Sequence, residues 1–187
     1  MSFPLHTRDD APEASQKALA ATEANFGMIP NLERVMAGAP ALLNGYQTLW
    51  DLFDTTSLTP IERQVVYLTA NYENECNYCV PWHSFLAQQA KMDGGDLNAL
   101  REGQSLPTER LDALHKFTKA LIQERGNISQ AALAQFISAG FTQQQAMEVI
   151  LGLAVKVMSN YTNSIAGTPL DEAVQKLKWE KPRIKMG

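Results

Sequence analysis

The sequence has 187 residues, of which 45% are hydrophobic and 19% are charged, and its formal net charge is −4. This composition is typical of a globular chain long enough to bury a core, and it excludes a disordered protein and a small domain that depends on disulfides. The negative charge argues against a nucleic-acid or anionic-membrane surface. The sequence contains neither a basic leader before an apolar run nor a stretch of ~20 apolar residues, so we expect a cytoplasmic protein.

Helix signals recur along the chain, whereas strand patterning is almost absent. Pro12 can open a first helix that runs to Asn25, with Gly27 as its stop. Pro30 and Pro40 begin two further segments, the second with apolar residues at helical spacing. The N-terminal part of the chain is therefore predicted to be helical.

Two capping boxes give the clearest helix starts. Thr59-Pro60-Ile61-Glu62 combines a threonine cap, a proline at the first helical position and a returning glutamate, which predicts a helix to about Asn71. Thr142-Gln143-Gln144-Gln145 is a second box and opens a long apolar helix to Ile165. Between them, Asp93-Gly94-Gly95 indicates a turn.

These signals predict an all-α fold of about eight helices in one domain, residues 1–187. The other predicted boundaries are helices at residues 97–101, 108–125 and 130–139, a core motif region at 58–92, C-terminal helices over 108–166 and a mobile, locally basic tail at 178–187.

The chemistry of the chain is concentrated around its two cysteines. Cys76 and Cys79 stand three residues apart, and His83 follows four residues later. On a helical turn this spacing brings both sulfurs and the imidazole to one face. Pro81 is tolerated only in the first turn of a helix, so the helix is predicted to begin at Asn77 or Tyr78. A cysteine pair in a reducing compartment is more often reactive than structural.

Cys79 is the better candidate nucleophile of the pair. Its place in the first helical turn, near unpaired backbone N–H groups and one turn from His83, favours the thiolate and lowers the thiol pKa. Cys76, just before the helix, is then placed to resolve a sulfenic acid by forming a disulfide.

Three other interpretations compete with this one. A zinc site could use Cys76, Cys79 and His83 but would need a fourth ligand, and the chain has no third cysteine. Thioredoxin-like exchange would share only the chemistry, because that fold needs alternating strands and helices. The two cysteines and the histidine could also be packing residues. His6 and His115 are read as packing or surface residues.

Residues 58–92 resemble the core of the carboxymuconolactone decarboxylase and alkylhydroperoxidase D superfamily. That core has a helix opening near a Glu-Arg-Glu sequence, followed by C-x-x-C-x-x-x-H at the start of the next helix. Residues 25–31 and 160–171 are similar to the longer peroxidase-related members, so the resemblance covers most of residues 22–171.

The resemblance implies an AhpD-like helical bundle and an obligate homo-oligomer, as a dimer, trimer or hexamer. It also implies that Cys79 attacks a hydroperoxide, that Cys76 resolves the product and that His83 serves in the proton relay. An unidentified thiol or dithiol would then reduce the pair. We expect no metal, no organic cofactor, no nucleic acid and no membrane as partners.

One departure from the family pattern concerns the residue that partners the histidine. The family has a glutamate twelve residues before the first cysteine, and this chain has Gln64 there. Glutamine cannot exchange a proton in the relevant range, so we expect Glu75, Glu62 or solvent to take the relay role. The alternatives to a peroxidase are a lyase acting on a small lactone acid and a non-catalytic helical binding protein.

Overall fold

A computed structural model describes residues 3–182. Over these residues the chain forms nine α-helices and one 3-10 helix, with no strand. The predicted all-α class is confirmed, whereas the predicted number of about eight helices is too low. The helices are α1 (Glu13–Phe26), α2 (Asn31–Met36), α3 (Pro40–Asp54), α4 (Pro60–Glu73), α5 (Cys79–Gln89), α6 (Gly94–Glu102), α7 (Glu109–Gln123), α8 (Gln130–Ser138), α9 (Gln143–Ala166) and a C-terminal 3-10 helix (Glu172–Leu177).

Both predicted capping boxes are present, and they fix the two helices that matter most for the site. The Thr59 side chain accepts from the backbone N–H of Glu62, and the Glu62 carboxylate accepts from the backbone N–H of Thr59 at 2.8 Å. Thr142 and Gln145 make the same reciprocal pair at the start of α9. Each box satisfies two helix-terminal groups that would otherwise lack partners.

The prediction of a turn at residues 93–95 is wrong. Asp93 caps a helix there, because its side chain accepts from the backbone N–H of Gly95 at 2.7 Å. Gly94 and Gly95 therefore lie in the first turn of α6, where an aspartate cap outweighs the low helix propensity of glycine.

α4 lies at the centre of the fold and packs against α5, α7 and α9. Its Val65, Val66 and Tyr67 are fully buried. Gly152 lets α9 approach this centre closely, since a Cβ at Gly152 would lie 2.6 Å from Cζ of Phe53. The site described below is built where α4, α5 and α9 meet.

The predicted mobile tail is corrected over residues 178–182. Trp179 is buried, and its Nε1 donates to the backbone carbonyl of Arg101 at 2.8 Å. The remainder of that predicted tail, residues 183–187, lies outside the described residues. Among residues 3–182 no helix has the length and apolar character needed to cross a membrane.

The outer face of α9 exposes a line of apolar side chains. They are Met147, Ile150, Val157, Tyr161 and Ile165, at intervals of three, seven, four and four residues. Such a line is typical of a helix face that packs against a partner. The homo-oligomer predicted from the sequence stays a prediction.

Candidate redox site

The two cysteines lie at the junction of a turn and a helix. α5 begins at Cys79, one or two residues later than predicted, so Pro81 is its third residue and removes no helical hydrogen bond. Glu75 has a φ of 54° and redirects the chain into this turn. Both thiols are free and buried, with Cys76 6% and Cys79 2% exposed.

Two amide groups hold the sulfurs. The backbone N–H of Cys79 donates to Sγ of Cys76 at 3.2 Å. The side-chain amide of Asn163, from α9, donates to Sγ of Cys79 at 3.2 Å and to Sγ of Cys76 at 3.8 Å. Asn163 therefore bridges the reacting pair.

The thiol pKa values of the pair are driven apart. Burial raises the pKa of Cys79, but the Cys76 thiol, the positive charge of Lys156 and the amides of Asn160 and Asn163 together outweigh it and lower the pKa to about 6. Burial, and then the neighbouring Cys79 sulfur, raise the pKa of Cys76. The surroundings of the two sulfurs favour the predicted order, with Cys79 as the more acidic thiol, but through groups other than those predicted. The helix N–H of Cys79 bonds to the other sulfur.

A buried lysine completes the site. Lys156, in the middle of α9, is 1% exposed, and its Nζ donates to Nε2 of His83 at 2.9 Å. Nδ1 of His83 lies 2.9 Å from Oε1 of Gln64. Since the amide oxygen of Gln64 only accepts, Nδ1 carries the imidazole proton and Nε2 is the acceptor. Two successive hydrogen bonds thus run from Lys156 on α9 through His83 on α5 to Gln64 on α4.

His83 is neutral in this arrangement. Burial first, and then the adjacent charge of Lys156, hold the pKa of His83 well below its usual range. Burial also lowers the pKa of Lys156, while Cys79 and Cys76 act in the opposite direction. Since the two cysteines raise the pKa of Lys156 and none of the causes raises that of His83, the lysine is the better carrier of positive charge beside the thiolate. The sequence analysis did not identify this lysine.

Gln64 is the only one of the three proposed relay residues that contacts His83. Glu75 is exposed and pairs with Lys181 at 3.1 Å. Glu62 is buried, but its carboxylate pairs with Arg110 at 2.9 Å and closes the capping box. The hypothesis that Glu75 or Glu62 replaces the family glutamate is therefore corrected, because both carboxylates have other partners.

The competing zinc interpretation is disfavoured by the same contacts. Both ring nitrogens of His83 already have hydrogen-bond partners, namely Lys156 and Gln64. An ammonium group beside the ring would also repel a cation. His115 is buried away from the site, where its Nδ1 lies 2.8 Å from the Thr69 hydroxyl, in keeping with a packing role.

Cys79 forms part of the wall of a cavity of about 170 Å³. His83 and Lys156 also line it, and so do four aromatic side chains from α1, α3 and α5. These are Phe26, Tyr46, Trp50 and Trp82. An apolar cavity of ~150 Å³ accommodates benzene in another protein, so this one fits a small apolar molecule.

The wall of the cavity also carries a half-buried carboxyl, that of Glu33. Oε2 of Glu33 accepts from Thr22 and from Gln47, the latter at 2.7 Å, whereas its Oε1 has no hydrogen-bond partner within residues 3–182. Burial raises the pKa of Glu33. Asp51 also lines the cavity. A bound molecule would therefore share the cavity with Cys79 and Lys156 and with the carboxyls of Glu33 and Asp51.

A second carboxylate, that of Asp171, holds Tyr78, one of the two residues between the cysteines. Oδ2 of Asp171 accepts from the Tyr78 hydroxyl, and from Nε1 of Trp82 at 2.9 Å. Its Oδ1 accepts from the backbone N–H of Asn31 at 3.0 Å. Asp171 thereby joins the segment after α9 to the cysteine turn and to α2, and it supports one wall of the cavity.

Sequence reasoning missed Lys156, Asn163, Glu33 and Asp171. One signal was present for the first two, because Val149, Gly152, Lys156 and Asn163 recur at helical spacing on the apolar side of α9. A lysine in that series is out of place on a buried face. Asp171 ends the 160–171 stretch that resembles the peroxidase-related members, but nothing there indicated its contacts, and no signal marked Glu33.

Among known proteins, this one is similar to solved structures but not to any family model or curated sequence. A solved structure described as an alkylhydroperoxidase AhpD core, a peroxidase-related protein from Ralstonia eutropha JMP134, is 17% identical with a TM-score of 0.82, over 92% of this chain and 93% of that one. A peroxidase-related protein from Silicibacter sp. TM1040 is 18% identical with a TM-score of 0.77, over 93% and 92%.

A third solved structure is the debrominase Bmp8 in complex with 2,3,4-tribromopyrrole. It is 17% identical with a TM-score of 0.77, over 94% of this chain and 95% of that one. Proteins of this architecture thus include more than one described activity. The chain has an alkylhydroperoxidase D-like fold.

Proposed function

We propose that the protein is a thiol-dependent peroxidase that reduces a small organic hydroperoxide through Cys79 and Cys76. The observation that carries this proposal is a low-pKa cysteine at the wall of a cavity, three residues from a second free thiol and beside a buried lysine. A thiolate is the reactive form of cysteine, and a pKa of about 6 makes it the main form of Cys79 at neutral pH.

In the first step the Cys79 thiolate attacks the terminal oxygen of the hydroperoxide. The O–O bond breaks, Cys79 becomes a sulfenic acid, and the departing alkoxide takes one proton to leave as an alcohol. Lys156 is the proton donor, because its ammonium is the charged donor that lines the cavity with Cys79. His83 acts as a positioning residue here, since it accepts from Nζ of Lys156.

In the second step Cys76 resolves the sulfenic acid. Its sulfur attacks Sγ of Cys79, the S–O bond breaks, and the thiol proton leaves with the hydroxide as water. Asn163 contacts both sulfurs and so keeps them on one side of the turn. Lys156 then has no thiolate beside it and stays neutral, as its burial favours.

A second candidate activity is reductive dehalogenation of a small aromatic ring. The specific observation in its favour is the ring of aromatic side chains around the cavity, together with the likeness to a debrominase bound to a tribromopyrrole. In that reaction two thiols become a disulfide while a carbon–halogen bond is replaced by carbon–hydrogen, and a halide ion and a proton are released. Halide release from 2,3,4-tribromopyrrole would support it over peroxide reduction.

The test of the peroxidase proposal is a count of free thiols. We expect two reactive thiols in the denatured parent protein, and none after one equivalent of cumene hydroperoxide has reacted with the folded protein. One equivalent of alcohol should appear. A lyase that acts on a lactone acid, or a binding protein, would keep both thiols, so an unchanged count contradicts the proposal.

Gln64→Glu is expected to raise peroxidase activity and to move its pH optimum. A carboxylate at this position would accept from Nδ1 of His83 and stabilise the imidazolium, so the pKa of His83 should rise. His83 could then take up a proton from Lys156 through the hydrogen bond between them. Steady-state rates between pH 5 and 9 measure the change.

The matched control for this prediction is Gln64→Met, which keeps the length of the side chain but has no carboxylate. It should lower the rate, because Nδ1 of His83 loses its acceptor. Equal pH profiles for the parent and the glutamate variant would show that proton transfer does not pass through this position.

A further inference from the structure

Each cysteine of the pair lines a different depression of the protein. Cys79 lines the aromatic cavity described above. Cys76 lines a separate, polar cleft, and no residue is shared between the two. The cleft is formed by the turn before α5 and the last two turns of α9, with Asn74, Asn77, Asn163 and Ser164 among its walls.

We propose that a dithiol reductant enters the polar cleft and attacks Sγ of Cys76 in the oxidised pair, while the hydroperoxide reaches Cys79 only through the aromatic cavity. This inference rests on the proposed peroxidase function for the origin of the disulfide. It assigns the two substrates of the catalytic cycle to two different surfaces of the protein.

The exchange reaction balances with a dithiol as the reductant. Its first thiolate attacks Sγ of Cys76, a mixed disulfide forms, and the bond between Cys76 and Cys79 breaks with its electron pair on Cys79. The second thiol of the reductant then closes the reductant's own disulfide and releases Cys76. Of the two protons that the reductant gives up, one ends on Cys76 and one on Lys156, which restores the starting state.

Attack at Cys76 produces the better leaving group. Thiol exchange is faster when the departing sulfur has a low pKa. Cys79 leaves as a thiolate that Lys156 and Asn163 stabilise, and its pKa is about 6. Attack at Cys79 would expel Cys76, whose pKa burial raises.

The lining of the cleft suits a polar thiol rather than an apolar peroxide. Oδ1 of Asn163 is buried and has no hydrogen-bond partner within residues 3–182, so it can accept from an incoming S–H or hydroxyl group. The two carboxylates at the cleft are neutralised, since Glu75 pairs with Lys181 at 3.1 Å and Glu73 with Lys119 at 3.6 Å. An approaching thiolate therefore meets little net repulsion.

Two matched substitutions test the assignment. Ser164→Trp places a large side chain in the polar cleft, and Ala21→Trp places one at the aromatic cavity. Both positions are exposed, lie on helices and exchange a small residue for the same large one. The two half-reactions are followed separately by quenched thiol counts, with cumene hydroperoxide for oxidation and dithiothreitol for reduction.

The expected result is a crossover. Ser164→Trp should slow reduction by dithiothreitol about tenfold and leave oxidation within about twofold of the parent, and Ala21→Trp should do the reverse. If Ala21→Trp slows both half-reactions while Ser164→Trp slows neither, both reagents use the aromatic cavity and the inference is wrong.

A second measurement needs no variant and separates this inference from the peroxidase proposal. The parent disulfide is formed with diamide, a chemical oxidant of thiols, and then treated with 2-mercaptoethanol, whose mixed disulfide is trapped by acid and located by peptide mass spectrometry. We expect the adduct on Cys76. An adduct on Cys79 would overturn the inference even if hydroperoxide oxidises the pair. Failure of hydroperoxide to oxidise the thiols would instead overturn the peroxidase proposal and leave the assignment of the reductant to the polar cleft standing.

Discussion

Cys79→Ser is expected to abolish peroxide consumption completely. The hydroxyl of serine does not ionise near neutral pH, so the stabilisation that Lys156 and Asn163 give to a thiolate has no anion to act on. The remaining thiol, Cys76, has a raised pKa and lines the polar cleft instead of the aromatic cavity. Loss of cumene hydroperoxide, measured with excess dithiothreitol, should fall to the rate without protein.

Cys76→Ser is the matched control, because it removes the other sulfur with the same change of atom. It should permit one turnover per chain and then stop, with a sulfenic acid on Cys79 that a dimedone label detects. Serine at position 76 still offers a hydroxyl that can donate to the Cys79 sulfur. If Cys76→Ser reduced no peroxide while Cys79→Ser accumulated the sulfenic acid, the roles of the two cysteines would be reversed.

The helical fold could be predicted because its signals lie in residues that are close together in the sequence. Thr59 with Glu62, and Thr142 with Gln145, form capping boxes within four residues, and both boxes are present. The prediction of a turn at residues 93–95 was wrong for an equally local reason. Gly94 and Gly95 indicate a turn, whereas Asp93 in fact caps a helix there. A helix start such as this one, with a single aspartate cap and no capping box, is hard to distinguish from a turn in the sequence.

The cysteine pair itself was predicted, but the source of its reactivity was not. The motif places Cys76, Cys79 and His83 on one face of a turn, and that geometry is local. The charge that lowers the pKa of Cys79 comes from Lys156, 77 residues later in the sequence. Only the packing of α9 against α4 and α3 brings it there.

The replacement of the family glutamate by Gln64 has a physical explanation in this arrangement. A carboxylate beside His83 would favour the imidazolium, so the proton that makes Lys156 an ammonium could be shared with His83. With Gln64 as a neutral acceptor, His83 stays neutral and can accept from Lys156. The lysine thus provides the stabilisation of the Cys79 thiolate for which the sequence analysis pointed to the helix start and to His83.

Lys156→Met is expected to lower the rate of Cys79 oxidation at pH 7 by at least about a hundredfold, from the loss of the thiolate and of a positioned proton donor. With a pKa of about 6, about nine-tenths of Cys79 is ionised at pH 7. Without the lysine charge, burial dominates and raises the pKa of Cys79, because the charged form is then destabilised. Methionine has nearly the same length and adds no charge.

The pH dependence of the rate identifies the cause of this loss. The thiolate is the deprotonated form, so the parent rate should rise with pH through about 6 and level off near pH 7. In Lys156→Met the inflection should move to higher pH, and the plateau rate should stay below that of the parent because the proton donor is absent. Stopped-flow oxidation by cumene hydroperoxide, together with thiolate absorbance at 240 nm, measures both quantities.

Lys116→Met serves as the control for a general effect of removing a lysine. Lys116 is 63% exposed and pairs with Asp112 one helical turn away, so its loss should leave the pH profile of Cys79 unchanged. Lys156→Met should also remain folded, because replacing a buried ammonium by an apolar side chain removes a desolvation cost. A folded Lys156→Met protein with the parent inflection near pH 6 would show that the amides and Cys76 alone stabilise the Cys79 thiolate.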